Sequence, residues 1–140
     1  SYSSPISGGS VLTLAVANDG QTMYSGADDG QIWMSTDAGV TWNEIDGPTL
    51  PNRVVNSIAI NPANPASILV GLSGFGQNGA RLDHVWQCTN TLAASPVYQS
   101  VSKLASGLPD IPVSSLILDL ITLLALMSIQ KAFPVSTSKE

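Results

Sequence analysis

Positive charge is scarce in this sequence. Five cations, Arg53, Arg81, Lys103, Lys131 and Lys139, stand against ten carboxylates, giving a net charge of −5 over 140 residues. Neutralising several phosphates needs a clustered basic patch, so nucleic acid is excluded as a partner. Cysteine is nearly absent: Cys88 alone rules out an intrachain disulfide and a cysteine-based zinc cluster. His84 is the single histidine, so a multi-histidine metal site is ruled out as well, and no metal or cofactor is expected. Charged residues make up only 11% of the chain, and its polarity comes mostly from Ser, Thr, Asn and Gly. That surface suits an extracellular or periplasmic setting. No basic, apolar leader begins at Ser1, so a mature or internal segment is expected.

The most informative stretch is Ser35-Thr36-Asp37-Ala38-Gly39-Val40-Thr41-Trp42. Trp33 on one side and Thr41 and Trp42 on the other lie in apolar runs suited to strands, while Asp37, Ala38 and Gly39 form the reversal. An Asp side chain accepts from backbone amides just downstream, and Gly supplies the positive φ of such a turn. Trp42 is a large anchor that folds back over it. Two further hairpin signals, Asn18-Asp19-Gly20 and Asp28-Asp29-Gly30, precede it within 40 residues. Helices are hard to reconcile with that punctuation.

The pattern Ser-x-Asp-x-Gly-x-Thr-Trp resembles the Asp box of the sialidase-like β-propellers, the superfamily of sialidases, sortilin-type receptors and xyloglucan-cleaving enzymes. The resemblance implies an all-β fold of propeller-type blades, each of four antiparallel strands, with Ser35, Asp37, Gly39, Thr41 and Trp42 as a structural Asp box. It speaks to fold and not to activity.

Internal repetition supports blades. The segment 50–61 recurs at 108–119, 58 positions on, and 11–18 falls on 54–61 at a shift of 43. Each copy is an apolar run ending in Asn or Asp, as a buried strand entering a turn would read. Blade one is placed at 10–47, with strands at 11–17, 22–27, 31–35 and 41–45. Blade two is placed at 50–104, with strands at 54–60, 67–72 and 84–88 and a turn at 61–65. Trp86 corresponds to Trp33. A decayed turn at 89–96 carries Asn90 where blade one has Asp37, and Tyr98 stands in for Trp42. A third blade starts at 108–119.

At Leu120 the repeat fails, and 120–140 is a divergent apolar tail, read as a helix or an overlong strand. The apolar run 116–129 holds 14 residues, short of the roughly 20 that a spanning helix needs. Membrane contact through 116–133 is therefore less favoured than burial against the blades or another chain. Propellers close with about four to eight blades. Either the chain is part of something longer or copies assemble, and a homo-oligomer or larger assembly is expected.

Catalysis finds little support. A sialidase-like site needs an arginine cluster and a Tyr/Glu pair, whereas the chain has two arginines and, before its last residue, only Glu44. Asp83 and Asp110 are candidates for a glycosidase pair, but nothing separates them from turn residues. Asp28, Asp29 and Asp37 are read as turn residues rather than calcium ligands. His84 lacks a nucleophile-elbow partner, and Cys88 is expected to be buried and unreactive. Trp33, Trp42 and Trp86 are read as packing residues. The long Gly-rich connection 73–81 is the candidate binding loop, with Phe75, Gln77, Asn78 and Arg81 as contacts. The expected function is a non-catalytic recognition or scaffold module for a protein or glycan ligand; the alternative is a piece of a secreted glycoside hydrolase.

Overall fold

The computed structural model describes residues 9–74, 82–101 and 113–116. The tail 120–140 and the loop residues Phe75, Gln77, Asn78 and Arg81 lie outside them. Eight strands form two antiparallel meanders in chain order. The first joins β1 (Val11–Val16), β2 (Met23–Ala27), β3 (Ile32–Ser35) and β4 (Asn43–Glu44). The second joins β5 (Val55–Asn61), β6 (Asn64–Leu72), β7 (Val85–Cys88) and β8 (Gln99–Ser100). No helix occurs among the described residues. The fold is all-β, an incomplete set of propeller-type blades with two of four strands each.

The turns follow from their residues. Gly20, Gly30 and Gly39 adopt φ of 70°, 90° and 88°, at the three predicted reversals. Asp19 Oδ1 accepts from the amides of Gln21 (2.9 Å) and Thr22 (2.8 Å) after β1. Asp28 accepts from the Ser10 amide at 2.7 Å, and Asp29 from the Gln31 amide at 3.2 Å. These acidic residues hold backbone, as turn residues should.

The two sheets repeat in detail. Leu14 pairs with Ser25 as Ile58 pairs with Val70, and Trp33 pairs with Ser25 as Trp86 pairs with Val70. Both first strands carry a register shift at the same place, between Val11 and Thr13 and between Val55 and Ser57. This corrects the shift of 43 read from the sequence: Val11 corresponds to Val55 and Leu14 to Ile58, a shift of 44. Lining up the terminal Asn18 and Asn61 puts the strand one residue out, because β5 runs longer before its turn. A one-residue slip would turn every side chain to the wrong face. The connection after β5 is also tighter than the expected 61–65: Asn61 pairs with Asn64, leaving Pro62 and Ala63 at the tip. The expected outer strand 41–45 is ordered as a strand only over Asn43–Glu44.

Alternation then decides the core. Tyr24, Ile32 and Met34 point from the first sheet toward the second, which answers with Val55, Ile58, Ile68, Val70, Leu72 and Cys88. Full burial of such side chains contributes roughly 1.5–3 kcal/mol each, as an upper bound. Closest approach comes where β1 and β2 meet β5. There Gly26 leaves space that the Val55 side chain fills, and a Cβ at Gly26 would strike it. The same joint recurs on the far side of the second sheet. A Cβ at Gly71, the counterpart of Gly26, would meet Val113 at 3.0 Å and Leu116 at 3.3 Å. Val113 lies 58 positions after Val55, the spacing of the sequence repeat.

Two tyrosines tie the sheets together by hydrogen bonds. Tyr24 Oη donates to Pro65 O at 2.6 Å and lies 2.7 Å from Thr91 Oγ1. Tyr98 Oη donates to Ile45 O at 2.8 Å. Both side chains are buried, and desolvation pushes the Tyr24 phenol up to about 12.

Candidate functional site

The turn between β3 and β4 is built from its own side chains. Ser35 is fully buried, and its Oγ donates to Asp37 Oδ1 at 2.8 Å while accepting from the Gly39 amide at 2.9 Å. Asp37 Oδ1 accepts from the Thr41 amide at 2.8 Å, and Oδ2 from the Thr41 hydroxyl. The Trp42 indole donates to Gly39 O at 3.1 Å, folding the ring over the loop. The structure thus brings together all five residues singled out here, Ser35, Asp37, Gly39, Thr41 and Trp42. Thr41 holds the Asp37 carboxyl down to about 2, first through its hydroxyl and then its amide, with Ser35 adding to the effect. A carboxylate so saturated with donors is a poor general acid or base. Ala38 sits at φ 59°, a left-handed position that the sequence does not announce.

The corresponding turn of the second sheet keeps the frame and loses the side-chain web. The Thr91 amide bonds Ala66 O at 2.9 Å just as the Ala38 amide bonds Gln21 O at 3.0 Å. Asn90 accepts from the Leu92 amide at 3.2 Å. Tyr98 takes the place of Trp42 immediately before the last strand. It turns inward, and its amide donates to Thr49 Oγ1 at 2.8 Å.

Between these two turns runs a groove of about 300 Å³, lined by Met34, Thr36, Asn43, Glu44, Thr91 and Leu92 among others. Glu44 is its one acidic lining residue among the described residues. Glu44 is exposed; desolvation raises its carboxyl first, and the negative charge of nearby Asp46 adds to it. The sequence placed Glu44 in an outer strand but gave no sign of this groove, because its two walls are 50 residues apart in the chain.

A second cluster lies at the stem of the 75–81 connection. Arg53 donates from Nε to Ser73 O at 2.9 Å and from Nη1 to Asp83 O at 2.8 Å. Its Nη2 is 3.0 Å from His84 Nδ1. The same Nδ1 lies 3.2 Å from Leu72 O, so it faces a donor on one side and an acceptor on the other, and its role follows the tautomer. His84 is buried, and Trp86 donates to Asp83 O at 3.2 Å. Arg53 therefore clamps both ends of the connection. Sequence reasoning counted Arg53 only as a cation, since its carbonyl partners leave no residue-type signal. Cys88 is buried as expected, and burial raises its thiol. That environment makes it a core residue.

No protein-family model matches the chain, and no curated protein matches it. Among solved structures, the chain is similar to the crystal structure of an ancestral GH74 enzyme, at 21% identity and a TM-score of 0.46. The match covers 63% of this chain and spans 12% of the length of that one.

Proposed function

We propose that the chain is a non-catalytic, extracytoplasmic recognition or scaffold module whose rigid part is a pair of propeller-type blades. In this reading 35–42 is a structural Asp box, and the start of a third blade lies at 108–119. The ligand, a protein surface or a glycan, is met by the 75–81 connection through Phe75, Gln77, Asn78 and Arg81. Arg53 supports the reading by bracing Ser73 and Asp83 on either side of that connection. Loops held on a rigid sheet are where binding concentrates.

The observation that carries the non-catalytic reading is the use made of the carboxylates. Asp19, Asp29 and Asp37 each accept from the backbone of their own turn, and Asp28 accepts from the Ser10 amide just before β1. Glu44 stands beside Asp46, with Asp29 also near enough to raise its carboxyl. Glycoside hydrolysis wants two carboxyl groups about 5–5.5 Å apart for retention, or about 6.5–9.5 Å for inversion.

A second reading, a piece of a secreted glycoside hydrolase, draws on the groove beside Glu44 and the raised Glu44 carboxyl. One experiment separates the two. The chain is incubated with xyloglucan and with other soluble β-glucans, and reducing ends are counted while binding is followed by affinity electrophoresis. The expected result is no product, with any retardation lost in Phe75→Ala and Arg81→Ala. Product release that disappears in Glu44→Gln overturns the proposal in favour of the hydrolase.

A further inference from the structure

The joint between the two sheets has a direction. The side of the second sheet that carries Val55 packs on the side of the first that carries Gly26, a knob face onto a hole face. Each sheet has both kinds of face, at matching register. Val11 and Leu14 hold in β1 the places of Val55 and Ile58 in β5, while Thr13 and Gly26 correspond to Ser57 and Gly71. One joint therefore leaves one face of each kind at the two ends of the pair. At the knob end Val11, Leu14 and Val16 are 47%, 61% and 53% exposed. At the hole end Gly71 is met by Val113 and Leu116, from the described piece 113–116, which forms no strand. That piece is held by Asn56 Nδ2 donating to Val113 O at 3.2 Å and by the Leu116 amide donating to Ser57 Oγ at 2.8 Å. It also fits less deeply than the sheet does: a Cβ at Gly71 would meet Val113 at 3.0 Å, whereas one at Gly26 would overlap Val55 outright.

We propose that the chain associates head to tail with copies of itself, the Val11 face of one copy docking on the Gly71 face of the next, and that 113–116 is the plug this contact displaces. Val11 is the register counterpart of Val55, so at Gly71 it competes with Val113 for one hole. The incoming face is a whole sheet and repeats the unlike-face packing already present within the chain. The plug is only four residues, and its advantage is the tether that keeps its effective concentration high. Charge does not oppose the contact. Strands β1 to β3 and β5 to β8 contain no charged residue, so chains of net charge −5 meet through neutral faces. A contact between unlike faces repeats from copy to copy and makes a ring where its rotation closes. With two sheets per copy, and about four to eight in a closed propeller, such a ring holds about two to four copies. The contact is separate from whatever the 75–81 connection binds.

The test uses the full chain in sedimentation equilibrium over a concentration series, with circular dichroism to confirm that each variant stays folded. Val113→Ser combined with Leu116→Ser loosens the plug and tightens association at least about tenfold over the parent. Ser57→Ala, which removes only the acceptor of the Leu116 amide, tightens it by a smaller factor. Adding Val11→Lys to either plug variant returns the 14.5 kDa monomer, whereas adding Val40→Lys, at an exposed position on the β3–β4 turn, does not. Polarity is read with a short bis-maleimide in the loosened background. Val11→Cys mixed with Ser57→Cys gives a covalent pair, and Val11→Cys alone gives none. Association no tighter in either plug variant overturns the proposal. So does association indifferent to Val11→Lys, the result expected if residues 1–8, 102–112 or 117–140 of the same chain cover β1. A Val11-to-Val11 link overturns it as well.

Discussion

Removing one hydroxyl tests whether the two sheets form a single cooperative unit. Tyr24 is 0% exposed and its Oη engages two groups of the second sheet, Pro65 O and Thr91 Oγ1, the latter 67 residues away. In Tyr24→Phe the ring and its packing remain, and only those bonds go. Each is worth about 1 kcal/mol net, and stranding a buried partner adds further desolvation cost. Thr91, 2% exposed, is such a partner. The expected destabilisation is therefore roughly 2–3 kcal/mol, which lowers Tm by about 6–12 °C for a chain of this size. Urea unfolding followed by tryptophan fluorescence reads it directly: the midpoint falls while the slope stays constant. The cycle with Thr91→Val isolates the pair. Once both hydroxyls are gone neither leaves the other stranded, so the double variant should recover about 1 kcal/mol relative to the sum of the singles. A Tyr24→Phe variant within about 0.5 kcal/mol of the parent, or strictly additive singles, would show that the tyrosine hydroxyl does not couple the sheets.

Three further outcomes are expected. Asp37 has a folded-state value of about 2 against an ordinary 3.8. A depressed carboxylate stabilises above its unfolded value and loses that contribution as pH falls through the folded one. Melting temperatures should therefore drop between about pH 4 and pH 2, with a shallower drop in Asp37→Asn, and parallel curves would refute the assignment. Ser25 Oγ is buried with no hydrogen-bond partner among the described residues, so Ser25→Ala should raise stability by up to about 1 kcal/mol in urea titration; a loss would mean that the hydroxyl is satisfied. Gly26→Ala should destabilise by roughly 1–3 kcal/mol because its methyl enters the space of Val55. Adding Val55→Ala to Gly26→Ala should cost less than Val55→Ala alone, a sub-additivity absent if the two do not touch.

Local chemistry was readable in advance and long-range chemistry was not. Asp19, Asp37 and Gly39 declare their turns because donor, acceptor and positive φ all fall within five residues. The equivalence of Trp33 and Trp86 also survived, since period-2 strands preserve it across loops of different length. The strand register did not, because the bulges at Leu12 and Asn56 and the longer β5 are set by pairing with the next strand. The Arg53 clamp escaped for another reason: it grips carbonyl oxygens of Ser73 and Asp83, which every residue possesses. The groove beside Glu44 exists only once two turns from different sheets are brought together. The Asn90 turn shows the converse, keeping its backbone bond to Ala66 after the side-chain pattern has gone.

Each sheet carries a hole on its second strand that a valine from further along the chain fills: Val55 enters at Gly26, and Val113 enters at Gly71. A segment running from one valine to just before the next is therefore a cassette with matching ends. Duplicating or deleting such a cassette leaves every joint with both of its halves, whereas changing a single glycine or valine breaks one. Blade number in such a chain is free to drift by recombination, while the residues at the joints are not free to change alone.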